Sequence, residues 1–458
     1  MTNEWVFILL YLVFQVLISV YLTKFIKNES DFFLGGRNVP VFALAFSIFA
    51  TWFGAETCIG SSGAVFSEGM SGSKAEPLGY GLCLFLMALF IAPRLWNEKY
   101  TTLGDFFKER FGTSTEKIAI WILVPSSVIW AAAQIRAFGQ VIATTSPLDV
   151  EMGIVIATVF VIGYTFLGGL LGDIVTDVLQ GVILSVSLLL VFIFTVSHLG
   201  GVGQALSKIP VEKLSLVSAE ESIWERIDSW LIPIFGSLIA QELIARILAA
   251  KDKKAAVKSS SWGTVLYLIF GSIPVFLGLI GNQFGFELQD REQFLPTLAK
   301  TVLPTFLYLV FAGALISAIL STIDSILLAI SALLSHNLIV PVFKIESAEK
   351  KLLCARLVIV ATGVISYFLA VNSESVYEMV ETASSFGTTG ILIVTLMGLF
   401  TKFGDSVVAN VVLILGIIFS LTLEYYQVTA PFLTAIVLGL VVYVSLGVMR
   451  KRAVVISS

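Results

Sequence analysis

Hydroxyl and carboxylate side chains share one face of an apolar stretch that reads ALISAILSTIDS. Ala318, Ser321, Thr322 and Ser325 recur at i, i+3, i+4 and i+7, so they lie on one side of a helix, and Asp324 lies one turn from Ser321. Oxygen ligands of this kind suit a small hard cation, particularly where a broken helix elsewhere frees backbone carbonyls. Hydroxyls that bond back to their own helix would explain the Ser and Thr residues but not Asp324. The pattern therefore favours a cation site.

A second stretch, VFALAFSIFATWFGAETCIGSSGAVF, carries glycines and hydroxyls where a membrane helix would be uniformly apolar. Gly54, Gly60 and Gly63 predict a broken helix, which is tolerated inside a membrane only where it lines a cavity or is buried in protein. Close packing of small residues between helices is the alternative. Glu56 lies in the same stretch, and an acid at that depth costs roughly a few kcal/mol unless it is paired or hydrated, so we favour a functional role.

Five other charged residues lie within or beside apolar runs. Asp177, in GGLLGDIVTDVLQG, is predicted to be functional, whereas Asp173 is expected in a cytoplasmic loop as a helix-start acid. Glu242 lies four residues before Arg246 and is either an ordinary i,i+4 pair or a gate. Arg136 lies deep in an apolar run, where it either reaches the outer surface or contacts a substrate carboxylate.

The composition of the chain predicts that these residues lie on membrane-spanning helices. The chain has 458 residues, of which 57% are hydrophobic and 13% charged, so it is predicted to be an all-α membrane protein. Each crossing takes about 20 apolar residues. About thirteen helices are predicted, at 5–25, 41–66, 78–97, 118–145, 151–171, 174–199, 229–249, 259–285, 303–337, 351–371, 375–400, 405–425 and 429–449.

Charge distribution predicts orientation and excludes several functions. Most Lys and Arg residues fall in one set of alternate loops, which predicts an external N-terminus and a cytoplasmic C-terminus. The expected location is the cell (inner) membrane. A net charge of −4 offers nucleic acid no basic face. His198 and His336 lie near span ends without a nucleophile or metal cluster, which argues against an enzyme. Nothing in the sequence specifies an oligomeric state.

Four segments in this order resemble the sodium:solute symporter family. They are FFLGGRNVP, ATWFGAETCIGSSGAVF, YTFLGGLLGDIVTDVLQG and AILSTIDSILLAISALLSHN. Within the family, ATWFG, PLGY at 77–80 and WAAA at 130–133 look most like the high-affinity choline transporter branch.

The resemblance implies one transporter domain over 1–458 with two inverted five-helix repeats. These would be 41–199 and 229–400, with an extra helix at 5–25 and two more within 405–449. It also implies a sodium ion bound by the carbonyls of Ala50, Phe53 and Ala318 and the hydroxyls of Ser321 and Thr322. Some members bind a second sodium ion, and the positions that bind it correspond to Asp177, Asp324 and Ser325 here. One or two Na⁺ ions are therefore expected to be co-transported.

The implied substrate contacts are less complete. Trp52, Tyr80 and Trp130 match positions that form an aromatic box for a quaternary ammonium in choline carriers, although ordinary aromatic packing is the alternative. Ala240 stands where those carriers have a tryptophan before a glutamine, here Gln241, so the box is incomplete.

We therefore expect a sodium-coupled symporter of a small organic solute that is amine-like, choline-like or zwitterionic. Substrate contacts are predicted at Trp52, Glu56, Tyr80, Trp130 and Gln241, with Arg136 and Glu242 as further contacts or gates. The expected partners are the substrate, sodium and the lipid bilayer. The alternatives are an ion channel and a symporter of an organic acid or sugar.

Overall fold

A computed structural model describes residues 3–146, 148–218, 221–288, 290–373 and 375–457. The described chain is helical, and it contains no β-strand beyond one isolated bridge between Val39 and Ala250. The main helices of the described chain are α1 Asn3–Thr23, α2 Val41–Trp52, α3 Glu56–Gly72, α4 Ala75–Leu95, α5 Thr113–Thr145, α6 Val150–His198, α7 Ile223–Leu231, α8 Gln241–Ala249, α9 Lys253–Gly281, α10 Thr305–Ser331, α11 Ala348–Val371, α12 Val376–Ser385, α13 Thr388–Phe400, α14 Ser406–Tyr425 and α15 Pro431–Ser457.

Shorter helices connect several of them. They are Glu29–Leu34, Leu103–Phe111, Val202–Ser207 and Phe294–Val302. The helix at 103–111 begins at a capping box in which the Thr102 hydroxyl accepts a hydrogen bond from the Gly104 amide.

Length and hydropathy give nine membrane-spanning helices among the described residues, or eleven if each of two bent pairs is one span. The all-α membrane fold is confirmed, whereas the count of thirteen is not. The bent pairs are α2 with α3, at 57°, and α12 with α13, at 45°. The first agrees with the broken helix that its glycines predict.

Helix α6 contains two of the predicted crossings. Its 49 residues would reach about 74 Å if straight, far more than a bilayer core. The chain reverses at Gly169, where φ is 55°, and the hydroxyls of Tyr164 and Thr176 consequently lie 2.5 Å apart. A side chain at Gly169 would also meet the Phe32 ring at 2.8 Å, so glycine is required for conformation and for space.

Helix α10, which carries the predicted cation ligands, is buried along almost its whole length and so lies at the centre of the core. It packs most extensively on α6 and α5, and α2 lies beside it. Every residue from Phe311 to Ser331 is buried, including its hydroxyls and Asp324. Polar groups at this position must find partners inside the protein.

Candidate sodium and substrate site

The break between α2 and α3 is held open by side chains from two other helices. In a continuous helix the Thr51 carbonyl would accept a hydrogen bond from the Ala55 amide. Instead, the Thr322 hydroxyl of α10 donates to the Thr51 carbonyl at 2.9 Å, and the Ala55 amide donates to Gln134 Oε1 of α5 at 2.9 Å. The acceptor and the donor of the missing helical hydrogen bond, the Thr51 carbonyl and the Ala55 amide, therefore each have a side-chain partner instead.

The oxygens assigned to the principal sodium lie at this break. Ala50, Phe53, Ala318, Ser321 and Thr322 are at most 1% exposed. Ala50 is in the last turn of α2 and Phe53 is its C-cap, where carbonyls lack intrahelical partners. The carbonyl that meets an α10 hydroxyl at this break is that of Thr51, which the sequence did not single out. The assignment of the Ala50, Phe53 and Ala318 carbonyls and the Ser321 and Thr322 hydroxyls to a sodium ion stays a prediction.

Gly54 marks the centre of the break. A Cβ added there would meet Glu56 Oε2 at 2.6 Å, Gln134 Oε1 at 2.9 Å and Thr322 Oγ1 at 3.0 Å. Three polar atoms from three helices therefore converge on one backbone position, and any side chain would displace them.

The residues assigned to a second sodium surround an arginine. Arg246 Nη2 lies 3.1 Å from Asp177 Oδ2 and 2.5 Å from Ser325 Oγ, and the Ser321 hydroxyl donates to Asp177. Asp324 accepts a hydrogen bond from the amide of Ser325 with one oxygen, at 2.9 Å. Asp177 and Ser325 of the predicted group therefore lie around one guanidinium, and the assignment of the group to a second sodium ion stays a prediction.

Two expectations about this region are wrong. Asp173 is not in a loop: it is buried within α6, 2.7 Å from Arg246 Nη2, because the chain reverses four residues earlier at Gly169. Glu242 and Arg246 do not form a side-chain pair either, since Arg246 Nη1 donates to the Glu242 carbonyl at 3.0 Å while the guanidinium turns toward α6.

The three predicted aromatic residues pack together. The Trp52 ring lies edge-on to Tyr80, with centroids 5.9 Å apart, and edge-on to Trp130 at 5.0 Å. Tyr80 and Ser384 of α12 place their hydroxyl oxygens 3.2 Å apart. The cluster thus joins the break in α2 to α4, α5 and α12.

Two buried carboxylates lie beside this cluster. Gln134 Nε2 donates to Glu56 Oε2 at 2.6 Å, and Thr57 donates to Glu76 Oε1 at 2.9 Å. Tyr267 donates to the other oxygen of Glu76. Glu56, Glu76 and Tyr80 line one cavity of about 20 Å³.

Gln241 and Glu242 lie on the other side of Trp130. Gln241 Oε1 accepts a hydrogen bond from the Leu103 amide at 2.9 Å, while its Nε2 and both Glu242 carboxylate oxygens are buried without a hydrogen-bond partner. These residues and Trp130 line a cavity of about 40 Å³. Such a space holds about one to three waters.

Arg136 lies apart from the other predicted contacts. It lines a separate cavity of about 520 Å³ with Gln140 and Asp290, and its Nη1 lies 3.4 Å from the carbonyl of Ala370. The structure therefore does not bring Arg136 to Glu56.

A larger acidic cavity adjoins the buried carboxylates. It measures about 590 Å³ and shares Ser229, Ile232 and Glu381 with the cavity beneath it. Its lining includes six acids, Glu221, Glu225, Asp228, Glu378, Glu381 and Glu424, and no Lys or Arg among the described residues, although Lys74 pairs with Glu221.

Sequence reasoning missed Gln134, Glu76, Tyr267 and the true partners of Arg246. One signal was available, since Gln134 lies four residues after Trp130 and so shares its helical face. Glu76 directly precedes the PLGY motif, but its hydrogen bonds to Thr57 and Tyr267 join three helices and cannot be found from spacing.

The chain is similar to known proteins in sequence and in fold. The family model of the sodium:solute symporter family matches residues 32–416. The high-affinity choline transporter 1 of Drosophila melanogaster is 24% identical over 366 residues, which cover 77% of this chain and 59% of that protein. The osmoregulated proline transporter OpuE of Bacillus subtilis (strain 168) is 27% identical over 412 residues, covering 84% of this chain and 82% of its own length.

The fold is shared with solved transporters. The structure of a substrate-bound, outward-open Na⁺-coupled sialic acid symporter aligns with a TM-score of 0.84 at 22% identity, covering 97% of this chain and 96% of that one. At this identity the similarity establishes the fold alone. The relatives found by sequence are transporters rather than enzymes.

Proposed function

This chain belongs to the sodium:solute symporter family, and we propose that it couples the inward movement of sodium to uptake of a small organic solute that carries a positive charge. One observation carries the charge assignment: Glu56 and Glu76 lie buried beside the aromatic cluster of Trp52, Tyr80 and Trp130, and the cavity that both line contains no Lys or Arg among its described residues.

The break between α2 and α3 supports sodium as the coupling ion. Carbonyls freed at a helix end and hydroxyls of a neighbouring helix are the hard oxygen donors that a small cation prefers. Sodium bound there would join α2 to α10 through the Ala50 and Phe53 carbonyls and the Ser321 and Thr322 hydroxyls. Such an ion stabilises the arrangement of these helices that receives substrate, which is the coupling that symport requires.

The membrane potential supplies part of the driving force. Each positive charge that moves inward gains about 2.3 kcal/mol per 100 mV. The distribution of Lys and Arg favours an external N-terminus and a cytoplasmic C-terminus in the cell membrane. In that orientation the acidic cavity of about 590 Å³ faces outward, where its negative field raises the local concentration of cations.

The aromatic cluster and the carboxylates together favour an ammonium or amine group. Aromatic faces attract such cations, and a nearby carboxylate adds a charge-assisted contact. Glu242 offers a further carboxylate on the far side of Trp130. A zwitterion would also need a cationic partner for its own carboxylate, and Arg136 and Arg246 both lie outside these two cavities.

The small closed cavities favour a carrier over a channel. The spaces beside Trp130 and Tyr80 measure about 40 and 20 Å³, so in the described conformation each has room for only a few waters. A carrier alternates between states in which a central site opens to one side.

The test is uptake by the purified chain in proteoliposomes with an inward sodium gradient and an inside-negative potential. The panel contains choline, a primary amine, betaine, proline, an organic acid and a sugar, with protein-free liposomes as the control. We expect saturable uptake of a cationic member that needs sodium. Uptake of an uncharged or anionic member alone would contradict the proposed charge, and ohmic currents without saturation would indicate a channel.

A further inference from the structure

An apolar groove lies between α4, α13 and the segment that joins α7 to α8. It measures about 390 Å³, and its described lining consists only of Leu, Ile, Phe and Met side chains. Ile91 and Leu238 at its floor are buried, whereas Phe90 and Phe400 at its rim are exposed. The groove therefore leads from the outer surface of the helix bundle toward its core, and its volume lies within the roughly 300–1,000 Å³ that is usual for ligand pockets.

One end of the groove carries a positive charge. The guanidinium carbon of Arg94 lies 4.2 Å from the centroid of the Phe400 ring, and Arg94 Nη1 donates to the Phe90 carbonyl at 3.1 Å. Arg94 is exposed, and within the described part of the chain it forms no salt bridge, not even with Glu98 one helical turn further on. Its charge is therefore available to an anion at the rim of the groove.

The groove and Arg94 match the two ends of a lipid molecule. The lining extends from Arg94 back to Leu86, which is about 12 Å along α4 at the rise of an α-helix. This stretch belongs to a membrane-spanning helix, whereas Arg94 lies in the last turn of that helix, at the level of the headgroups on the predicted cytoplasmic side. We propose that the groove binds one acyl chain of an anionic phospholipid and that the phosphate of this lipid pairs with Arg94.

The positive charges select the headgroup. An acyl chain is in equally apolar surroundings in the bilayer and in the groove, so the chain alone gives no preference for one lipid over another. A guanidinium offers paired N–H donors that match two oxygens of a phosphate, while its flat face stays on an aromatic ring. Lys402, two residues after Phe400, is exposed and adds a second positive charge. A zwitterionic headgroup would bring its own cation close to these two side chains, which disfavours it.

The groove also borders segments that line the candidate substrate site. Phe235 lines both the groove and the cavity of about 40 Å³ beside Trp130. Met397 belongs to α13, the second half of a bent pair of helices. An acyl chain in the groove would support Phe235 from behind and restrict the movement of α13. We therefore expect the rate of transport to depend on the bound lipid.

The first test measures lipid binding by the unmodified protein. The delipidated protein in detergent is titrated with phosphatidylglycerol, phosphatidylcholine or a free fatty acid, all with the same acyl chain, and the concentration for half-maximal thermal stabilisation is compared. One basic side chain near an anionic headgroup predicts about a five-fold preference for phosphatidylglycerol over phosphatidylcholine. Equal concentrations for the two phospholipids, or stabilisation by the fatty acid as strong as that by phosphatidylglycerol, would overturn the proposal.

Two variants locate the effect in the groove. Arg94→Gln removes the charge and should bring the concentration for phosphatidylglycerol to that for phosphatidylcholine, whereas Met397→Trp fills the groove and should weaken stabilisation by both. Lys350→Gln and Leu369→Trp are the matched controls, because both residues are exposed on α11, which does not line the groove. A folded Arg94→Gln protein that keeps the preference would overturn the proposal. If that variant does not fold, the titration of the unmodified protein and of Met397→Trp still decides it.

The second test measures uptake, and it alone rests on the proposed function. Initial rates are compared in proteoliposomes that contain increasing proportions of phosphatidylglycerol in phosphatidylcholine. The rate should rise with phosphatidylglycerol for the unmodified protein and for Lys350→Gln but not for Arg94→Gln, and the surface potential of the bilayer is the same for all three. An equal rise in Arg94→Gln would contradict control of transport through the groove. No uptake in any vesicle would count against the proposed function and would leave the result of the lipid titration standing.

Discussion

The Thr322 hydroxyl donates to the Thr51 carbonyl at 2.9 Å, across the point where α2 ends and α3 has not yet begun. The same hydroxyl lies 3.2 Å from the Ala318 carbonyl of its own helix. Thr322 therefore links the α2 carbonyls and the α10 residues of the proposed sodium site. A substitution of Thr322 tests whether these two groups bind the ion together.

Replacing Thr322 by Val keeps its shape and removes its oxygen. The concentration of sodium for half-maximal uptake should rise about five- to 150-fold, because losing a buried hydrogen-bonding group costs about 1–3 kcal/mol. Thr322→Ser keeps the hydroxyl and should remain close to the unmodified protein. Thr362→Val is the matched control, since Thr362 is buried and donates only along its own helix, to Val358 at 2.8 Å. Equal sodium curves for Thr322→Val and this control would contradict the ion assignment.

Gly54→Ala should abolish transport without unfolding the chain. Its added methyl would lie 2.6 Å from Glu56 Oε2 and 3.0 Å from Thr322 Oγ1, so the groups at the break would separate. The measurement is initial uptake rate together with the amount of monodisperse protein in detergent. Gly163→Ala is the control because a Cβ there meets nothing within 4 Å. Normal uptake by Gly54→Ala would show that the close approach at the break is not needed.

Glu56→Gln tests the charge of the substrate. The apparent KM for a cationic substrate should rise about ten- to hundred-fold, since hydrogen bonds to charged groups contribute about 1.5–3 kcal/mol. The sodium half-saturation constant should change much less. Glu116→Gln is a matched control: Glu116 is also buried, but it accepts a hydrogen bond from Asn337 at 2.9 Å rather than lining the cavities. An unchanged KM in Glu56→Gln would mean that this carboxylate does not contact the substrate.

Trp130→Leu removes one wall of the aromatic cluster. Cation–π contacts contribute about 0.5–2 kcal/mol, so competition by tetramethylammonium against the transported substrate should weaken about two- to thirty-fold. Trp121→Leu, at a position 66% exposed on the same helix, should have no effect on competition. If both variants behave alike, the cluster packs the helices and does not bind substrate.

The acidic cavity predicts a dependence on salt. Changing Glu378 and Glu424 to Gln together should raise the apparent KM for a cation a few-fold at low ionic strength, because the field that concentrates cations is weakened. Potassium chloride near 1 M should abolish the difference, since the screening length falls to about 3 Å. A difference that persists at high salt would indicate direct contact instead of a long-range field.

Local sequence determined the helical class and predicted part of the candidate site. Long apolar runs can satisfy their backbone in lipid only as helices, so the all-α membrane fold follows from composition and hydropathy. The spacing of Ser321, Thr322 and Ser325 places them on one face because helical periodicity is a property of neighbouring residues. The glycines around Gly54 likewise predicted a break, and the break is present.

Only the tertiary structure decided which side chains face one another across helices. Arg246 meets Asp173 and Asp177, which lie 73 and 69 residues away, whereas spacing offered a pair with Glu242 as one of two alternatives. Likewise, Gln134 and Thr322 complete the open hydrogen bond between Thr51 and Ala55 from two separate helices. Helical periodicity specifies a face, but the partner opposite that face depends on how distant segments pack, and a buried charge takes the opposite charge that this packing brings within reach.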